Sequence, residues 1–352
     1  MKKYAIVLLV LAILVSAIPA FAAGELIGVA MPTNSLQRWN QDGANMKAQL
    51  EAKGYKVDLQ YANNEVDTQI SQLENMILEE CKVIVIASID GSALGEVLKT
   101  AKDAKIPTIA YDRLIMKTPD IDYYTTFDNY MVGTIQGNYI KDALKLDEAG
   151  DKTFNMEVFG GSPDDNNATL FYKGAMDVLQ PYIDKGTIKI PSGQVDFDKV
   201  AILTWSSEKA AARMDNLIAG YYADGKNKLD VVLSPNDSLA WGIETSLKNA
   251  GFTKDNWPVI TGQDCDVANT QAIIEGTQAM SVFKDTRELA TKTIELIDTM
   301  LKGGKFESNT TYNNGVIDVP SYNCTPVFAN KDNYKTLLID SGYYTEDQLK
   351  AK

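Results

Sequence analysis

The stretch that decides the fold is Ile106-Pro-Thr-Ile-Ala-Tyr-Asp112-Arg113. A short apolar run, too short for a helix, stops abruptly at a carboxylate and a guanidinium. Two further runs stop in the same way: Leu229-Asp-Val-Val-Leu-Ser-Pro at Asn236-Asp237, and Pro258-Val-Ile-Thr-Gly-Gln at Asp264. Each reads as a parallel strand buried on both faces and bounded by turn or polar residues. In open α/β sheets, ligands bind in the crevice beyond the carboxyl ends of the strands. Three polar strand ends therefore predict a polar wall around one crevice, suited to a small ligand with many hydroxyls.

Outward from this stretch, strand and helix alternate. The pattern predicts strands over 26–30, 55–61, 83–87, 107–111 and 122–127, with helices over 36–53, 67–80 and 93–104 between them, the first closed by Gly54. A new helix starts at Tyr130 and the grammar restarts. Strands are expected over 153–159, 188–190, 229–233, 259–261, 279–283 and 316–319, and helices over 165–182, 207–223, 238–250, 267–276 and 285–301. Two doubly wound α/β halves of similar length imply two lobes with a cleft between their strand ends.

Composition narrows the chemistry. The chain of 352 residues opens with Lys2 and Lys3, an apolar run from Ala5 to Ile18 and the small-x-small site Ala20-Phe21-Ala22, which predict a secretory leader over residues 1–22. The run falls short of the roughly 18 residues of a membrane span. No Cys follows it as a lipobox, so a free periplasmic protein is expected. A net charge of -13, two units more negative without Lys2 and Lys3, argues against nucleic acid or an anionic membrane as partner. With no histidine in the chain, Ser-His-Asp and Cys-His catalysis and imidazole metal sites are excluded. Cys81, Cys265 and Cys324 match no zinc spacing and read as small buried residues; no cofactor or metal is expected.

The motifs YDR (111–113), FDN (127–129), GGSPDDNNA (160–168), QPYID (180–184), SPND (234–237), GQD (262–264) and VFKDTR (282–287) occur in this order. The series resembles the periplasmic sugar-binding proteins of ABC importers, in the xylose-binding and multiple-sugar-binding branch, from Ile27 to about Glu346. The resemblance implies two flavodoxin-like lobes joined by three crossovers near Asp128, Phe283 and 305–318. The first lobe would comprise 24–128 plus 284–311, and the second 129–283 plus 312–352. It implies a monosaccharide ligand, an ABC permease as partner and a sensor or chemoreceptor domain as a further one.

A pyranose offers a rim of hydroxyls and two faces of C–H groups, so its site needs planar charged or amide groups together with aromatic rings. Asp112 can accept from two hydroxyls and Arg113 can donate to one; alone, the pair would read as a surface ion pair. Arg38 and Trp39, just after the first strand, match the family's donor and aromatic wall, with core packing open for Trp39. Trp205 matches the stacking tryptophan, while Trp241 and Trp257 are left as structural. Of Asn166 and Asn167, one can cap the helix while Asn167 faces the cleft. Asn236, Asp264 and Lys284 complete the ligand set, a solvated hinge lysine being the competing reading for Lys284. Cys265 either narrows the pocket or packs behind it.

A periplasmic glycosidase using Asp112 and Asp264 is the alternative from another class. It needs one acid kept protonated near neutral pH, and Arg113 beside Asp112 favours the ionised form instead. A repressor effector domain is excluded by the leader and by the lack of a basic segment before the first strand. A furanose or other polyol remains open as the ligand.

Overall fold

The computed structural model describes residues 24–225 and 227–350. The expected leader over 1–22 lies outside the described residues. The first half contains β1 (Leu26–Met31), α1 (Gln37–Ala52), β2 (Lys56–Tyr61), α2 (Val66–Leu78), β3 (Val83–Ile86), α3 (Gly95–Asp103), β4 (Thr108–Tyr111) and β5 (Tyr123–Phe127). After α4 (Asn129–Ala143) come β6 (Phe154–Val158), α5 (Asn166–Asp184), β7 (Ile188–Lys189), α6 (Phe197–Val200), α7 (Ser207–Leu217), β8 (Val231–Leu233) and α8 (Asp237–Asn249). The remainder is β9 (Val259–Ile260), α9 (Val267–Glu275), β10 (Met280–Phe283), α10 (Thr286–Leu301), β11 (Thr310–Asn313), β12 (Asp318–Cys324), β13 (Val327–Asn330) and α11 (Glu346–Leu349).

The first sheet has the order β11-β12-β5-β4-β3-β1-β2, which contains the flavodoxin-like order 2-1-3-4-5 within it. Its central strands are buried on both faces because side chains alternate. Val83 and Val85 join one core with Trp39, Met46 and Ile294, while Ile84 and Ile86 join the other with Leu73, Met76 and Leu98. The second sheet repeats the order as β7-β6-β8-β9, with β10 attached through a single parallel bridge, Gln263 to Val282. The fold is therefore α/β, with two doubly wound lobes.

The first crossing between lobes lies at Asp128, the second at 284–285 and the third at 324–327. The third departs from the expectation that 312–352 belongs to the second lobe. β12 pairs in parallel with β5, setting Ser321 opposite Tyr124, and carries β11 as an antiparallel partner. Residues 310–324 thus cover the edge of the first sheet, which β5 would otherwise leave open. The expected strand at 316–319 also shifts. The Asn314 side chain accepts from the Val316 and Ile317 amides, making a turn, and Val316 is exposed. β10 then pairs with β13, and the C-terminal tail packs Leu338, Tyr344 and Leu349 on the second lobe around Cys265 and Phe283.

Within the second lobe α4 and α5 pack backbone to backbone. Gly133 faces the Phe171 carbonyl and Gly174 the Tyr130 carbonyl, with no room for a methyl at either position. That close approach seats the N-terminus of α5 beside the first crossing. The helix expected over 207–223 is regular only to Leu217 and finishes in a wider turn over Ile218–Tyr222.

Candidate functional site

Every polar strand end predicted from the sequence opens on the same place. A tight cavity between the lobes is lined by Arg38, Trp39, Asp112, Arg113, Asn167, Trp205, Asn236, Asp264 and Lys284. Leu36, Asp165, Phe171 and Gln263 complete its wall. The nine residues singled out from the sequence therefore converge, and four were missed.

From the first lobe, the loop after β1 delivers Arg38 at the start of α1. Its Nε and Nη2 donate to Asp42 Oδ2, one turn on, at 3.0 and 2.8 Å, and its Nη1 lies 2.9 Å from Asp112 Oδ1. Asp42 also accepts from the Tyr111 hydroxyl. Burial disfavours charge on Arg38, but Asp112, Asp42 and Asp264 outweigh it and hold the guanidinium well above its ordinary value. Trp39 is fully buried in the first core and still borders the cavity, with the Arg38 and Arg113 guanidinium carbons 4.2 and 5.0 Å from its ring centroid. Trp39 thus packs in the core with one edge on the cavity.

Asp112 closes β4 with a left-handed backbone, φ 61°. Its carbonyl accepts from the Tyr124 and Thr126 hydroxyls, which fix that geometry. Burial alone would raise its carboxyl, but Arg38, Lys284 and Arg113 together hold it below the usual carboxylate range. Arg113 donates to the Ser88 carbonyl at 3.0 Å and meets Asp165 of the second lobe at 3.1 Å.

From the second lobe, Asp165 caps α5 by accepting from the Asn167 amide. The cap was expected from an asparagine, but the helix begins one residue beyond Asp165, so the aspartate fills that position. Asn167 is free to face the cleft, where Nδ2 donates to the Asp112 carbonyl at 2.7 Å and Oδ1 accepts from Tyr124 at 3.1 Å. Asn236 caps α8 through its Oδ1 while bordering the cavity. Trp205 follows Thr204, both left-handed (φ 53° and 60°), and its ring lies against Gly161, where any Cβ would collide with it. Phe171 meets Trp205 edge-on at 6.2 Å, and the two form the aromatic wall.

Asp264 has φ 97° and Cys265 φ 52°, an unfavourable pair for residues other than glycine. Lys284 is 3% exposed and stands 3.1 Å from Asp264 and 3.7 Å from Asp112, so it is a hinge-side member of the site and not a solvated lysine. Cys265 packs behind the site, with Sγ toward the Ser281 carbonyl, and all three cysteines are buried and free. Buried polar atoms without a hydrogen-bond partner cluster here: Trp39 Nε1, Trp205 Nε1 and Gln263 Oε1, while Asp112 Oδ1 and Asp264 Oδ1 face only the cations Arg38 and Lys284. Natural interiors pair nearly all such atoms, so this set of donors and acceptors marks where a hydroxyl-rich ligand can bind. Among the described residues, no cluster of Cys, Asp and Glu could hold a metal ion.

Missed residues had weak signals. Phe171 follows Asn167 by four positions on α5, hence on the same face, and Gln263 directly precedes Asp264. Neither residue type announces a ligand in isolation.

Two α/β lobes closing charged and aromatic side chains around a buried cavity define a solute receptor that binds between its domains. A family model of the periplasmic binding protein domain matches residues 27–305, and the chain belongs to that family. It is 52% identical over 327 residues to the multiple sugar-binding periplasmic protein SbpA of Azospirillum brasilense, covering 92% of this chain and 91% of that one. It is 37% identical to the D-xylose-binding periplasmic protein of Escherichia coli, over 96% of both chains. The fold matches an ABC transporter solute binding protein from Clostridium phytofermentans with bound β-D-glucose at a TM-score of 0.89 and 58% identity, covering 92% of this chain and 100% of that one.

Proposed function

We propose that this protein is a periplasmic receptor that captures a neutral monosaccharide in its pyranose form by lobe closure and delivers it to an ABC-type sugar permease. The observation that carries the reading is the cavity: carboxylates, guanidinium groups and amides from both lobes surround it beside an aromatic wall of Trp205 and Phe171. The bound β-D-glucose in the Clostridium phytofermentans protein supports the same class of ligand. Closure follows from contacts that the ligand gains only when both lobes reach it.

The glycosidase alternative falls away. Relatives across the whole chain are sugar-binding receptors, and Asp112 and Asp264 share the same cations, Arg38 and Lys284. Asp112 is held ionised, the wrong state for a general acid. A thermal-shift screen of D-glucose, D-xylose, D-galactose and L-arabinose, alongside aryl glycosides, tests both readings. Stabilisation by a free sugar without glycoside turnover is expected; turnover, or no response to any monosaccharide, contradicts the proposal.

A further inference from the structure

We propose that Tyr344, on the C-terminal tail, is a positioning residue for Asp264 and couples it to closure of the first lobe onto the second. Its hydroxyl donates to the Cys265 carbonyl at 2.9 Å. The same oxygen accepts from Gln37 Nε2 at 2.8 Å and from Gln41 Nε2 at 2.9 Å, both on α1 of the first lobe. A hydroxyl has one donor and two acceptor positions, and all three are used here. Gln37 reaches across a second time, its Oε1 accepting from the Val267 amide at the start of α9.

What this hydroxyl holds is unusual. Asp264 and Cys265 are consecutive residues with positive φ, and such backbone persists only where its surroundings over-determine it. The Asp264 amide is held by the Val282 carbonyl and the Cys265 amide by the Ser281 hydroxyl, which leaves the Cys265 carbonyl as the remaining anchor of the turn. Two hydroxyls supply that anchor: Thr270 Oγ1 at 3.2 Å, and Tyr344 at 2.9 Å, which alone ties it to the first lobe, from a buried position packed with Cys265, Phe283 and Leu338. Gln37 and Gln41 flank Arg38 on α1, so the lobe that brings Arg38 toward Asp264 also brings the two amides onto Tyr344.

The inference rests on the sugar-receptor reading, and the experiment separates the two. D-glucose and D-xylose are titrated into the parent protein, Tyr344→Phe, Gln37→Ala/Gln41→Ala and the triple variant, with dissociation followed by tryptophan fluorescence. Tyr344→Phe keeps the ring packing and removes all three hydrogen bonds. It is expected to weaken binding about tenfold or more, mainly through faster dissociation. The glutamine substitutions are expected to cost clearly less in its background, where only the Gln37 to Val267 and Gln41 to Tyr343 bonds are left to lose, than in the parent. Parent-like affinity in Tyr344→Phe, or effects that simply add, overturns the proposal. If the parent binds neither sugar, the ligand assignment fails and the coupling is read in ligand-free protein, from the distance between spin labels on the two lobes. Tyr344→Phe then widens that distribution if the coupling exists and leaves it unchanged if it does not.

Discussion

Arg38 Nη1 of the first lobe stands 3.7 Å from Asp264 Oδ1 of the second and 2.9 Å from Asp112 Oδ1, so one guanidinium nitrogen faces the principal acid of each half. Lys284, on the second crossing, repeats the arrangement at 3.1 and 3.7 Å. Carboxylates in a closed cleft repel one another unless cations stand between them, and these two side chains supply that charge where the lobes meet.

Replacing Arg38 tests its structural share. Arg38→Met leaves Asp112 and Asp42 buried without their main partner, and breaking a buried ion pair from one side costs about 3–5 kcal/mol. Urea denaturation of the ligand-free variant should show a loss of that order, together with loss of sugar binding. A variant as stable as the parent would contradict the network described.

Asn167→Asp tests the contact across the cleft. Nδ2 of Asn167 donates to the Asp112 carbonyl. A carboxylate of the same size would set oxygen against oxygen there. Binding is expected to weaken by more than about a hundredfold, on the order of 3 kcal/mol, with the fold intact. Calorimetric titration showing parent affinity would exclude this contact from the closed state.

Gly161→Ala reads the seat of the aromatic wall. A methyl at this position collides with the Trp205 ring, so the indole must move or the loop must shift. Overpacking of this kind costs about 1–3 kcal/mol, and affinity is expected to fall at least tenfold with a change in tryptophan fluorescence. An unaltered emission spectrum and affinity would remove Trp205 from the site.

The acids behind Asp264 predict a pH dependence. Burial, and then Asp264 beside it, push the Asp266 carboxyl up to about 7. The folded protein therefore holds this proton more tightly than the unfolded chain, where an aspartate titrates near 3.9. Stability rises as pH falls from about 7 toward about 4, and the contribution is absent above 7. Asp237, raised by burial and by Asp266, acts in the same direction. Asp112, which is lowered, opposes them only where carboxylates protonate in the unfolded chain, near pH 4. Because Asp266 is only half-buried, the gain is on the order of 1 kcal/mol, or about 1–2 °C in Tm between pH 8 and pH 5. Melting curves of Asp266→Asn should lose part of that rise; a slope equal to the parent's would contradict the assignment.

Strand ends were the most legible feature of the chain, because a fully buried parallel strand and a polar residue beyond it leave a local pattern that needs no partner to be read. Asp112, Asn236 and Asp264 all come from that pattern. Residues 312–324 were misplaced because their position depends on pairing with β5, almost 200 residues earlier, and a hairpin at a sheet edge reads the same beside either lobe. Phe171 and Gln263 stayed hidden for a related reason: a core phenylalanine and a loop glutamine acquire their meaning only when a second wall closes on them. Lys284 shows the reverse. Sequence could not separate a solvated hinge lysine from a buried one, and the two carboxylates facing it decide the matter.

Calorimetric titration of D-glucose into the parent protein, Asp112→Ala and Asp264→Ala measures the central claim most directly. One acid comes from each lobe, and a sugar held between the lobes needs both. Saturable one-to-one binding by the parent and loss of detectable heat in each variant, with both variants folded, is the predicted result. Parent-like binding by either variant would contradict it.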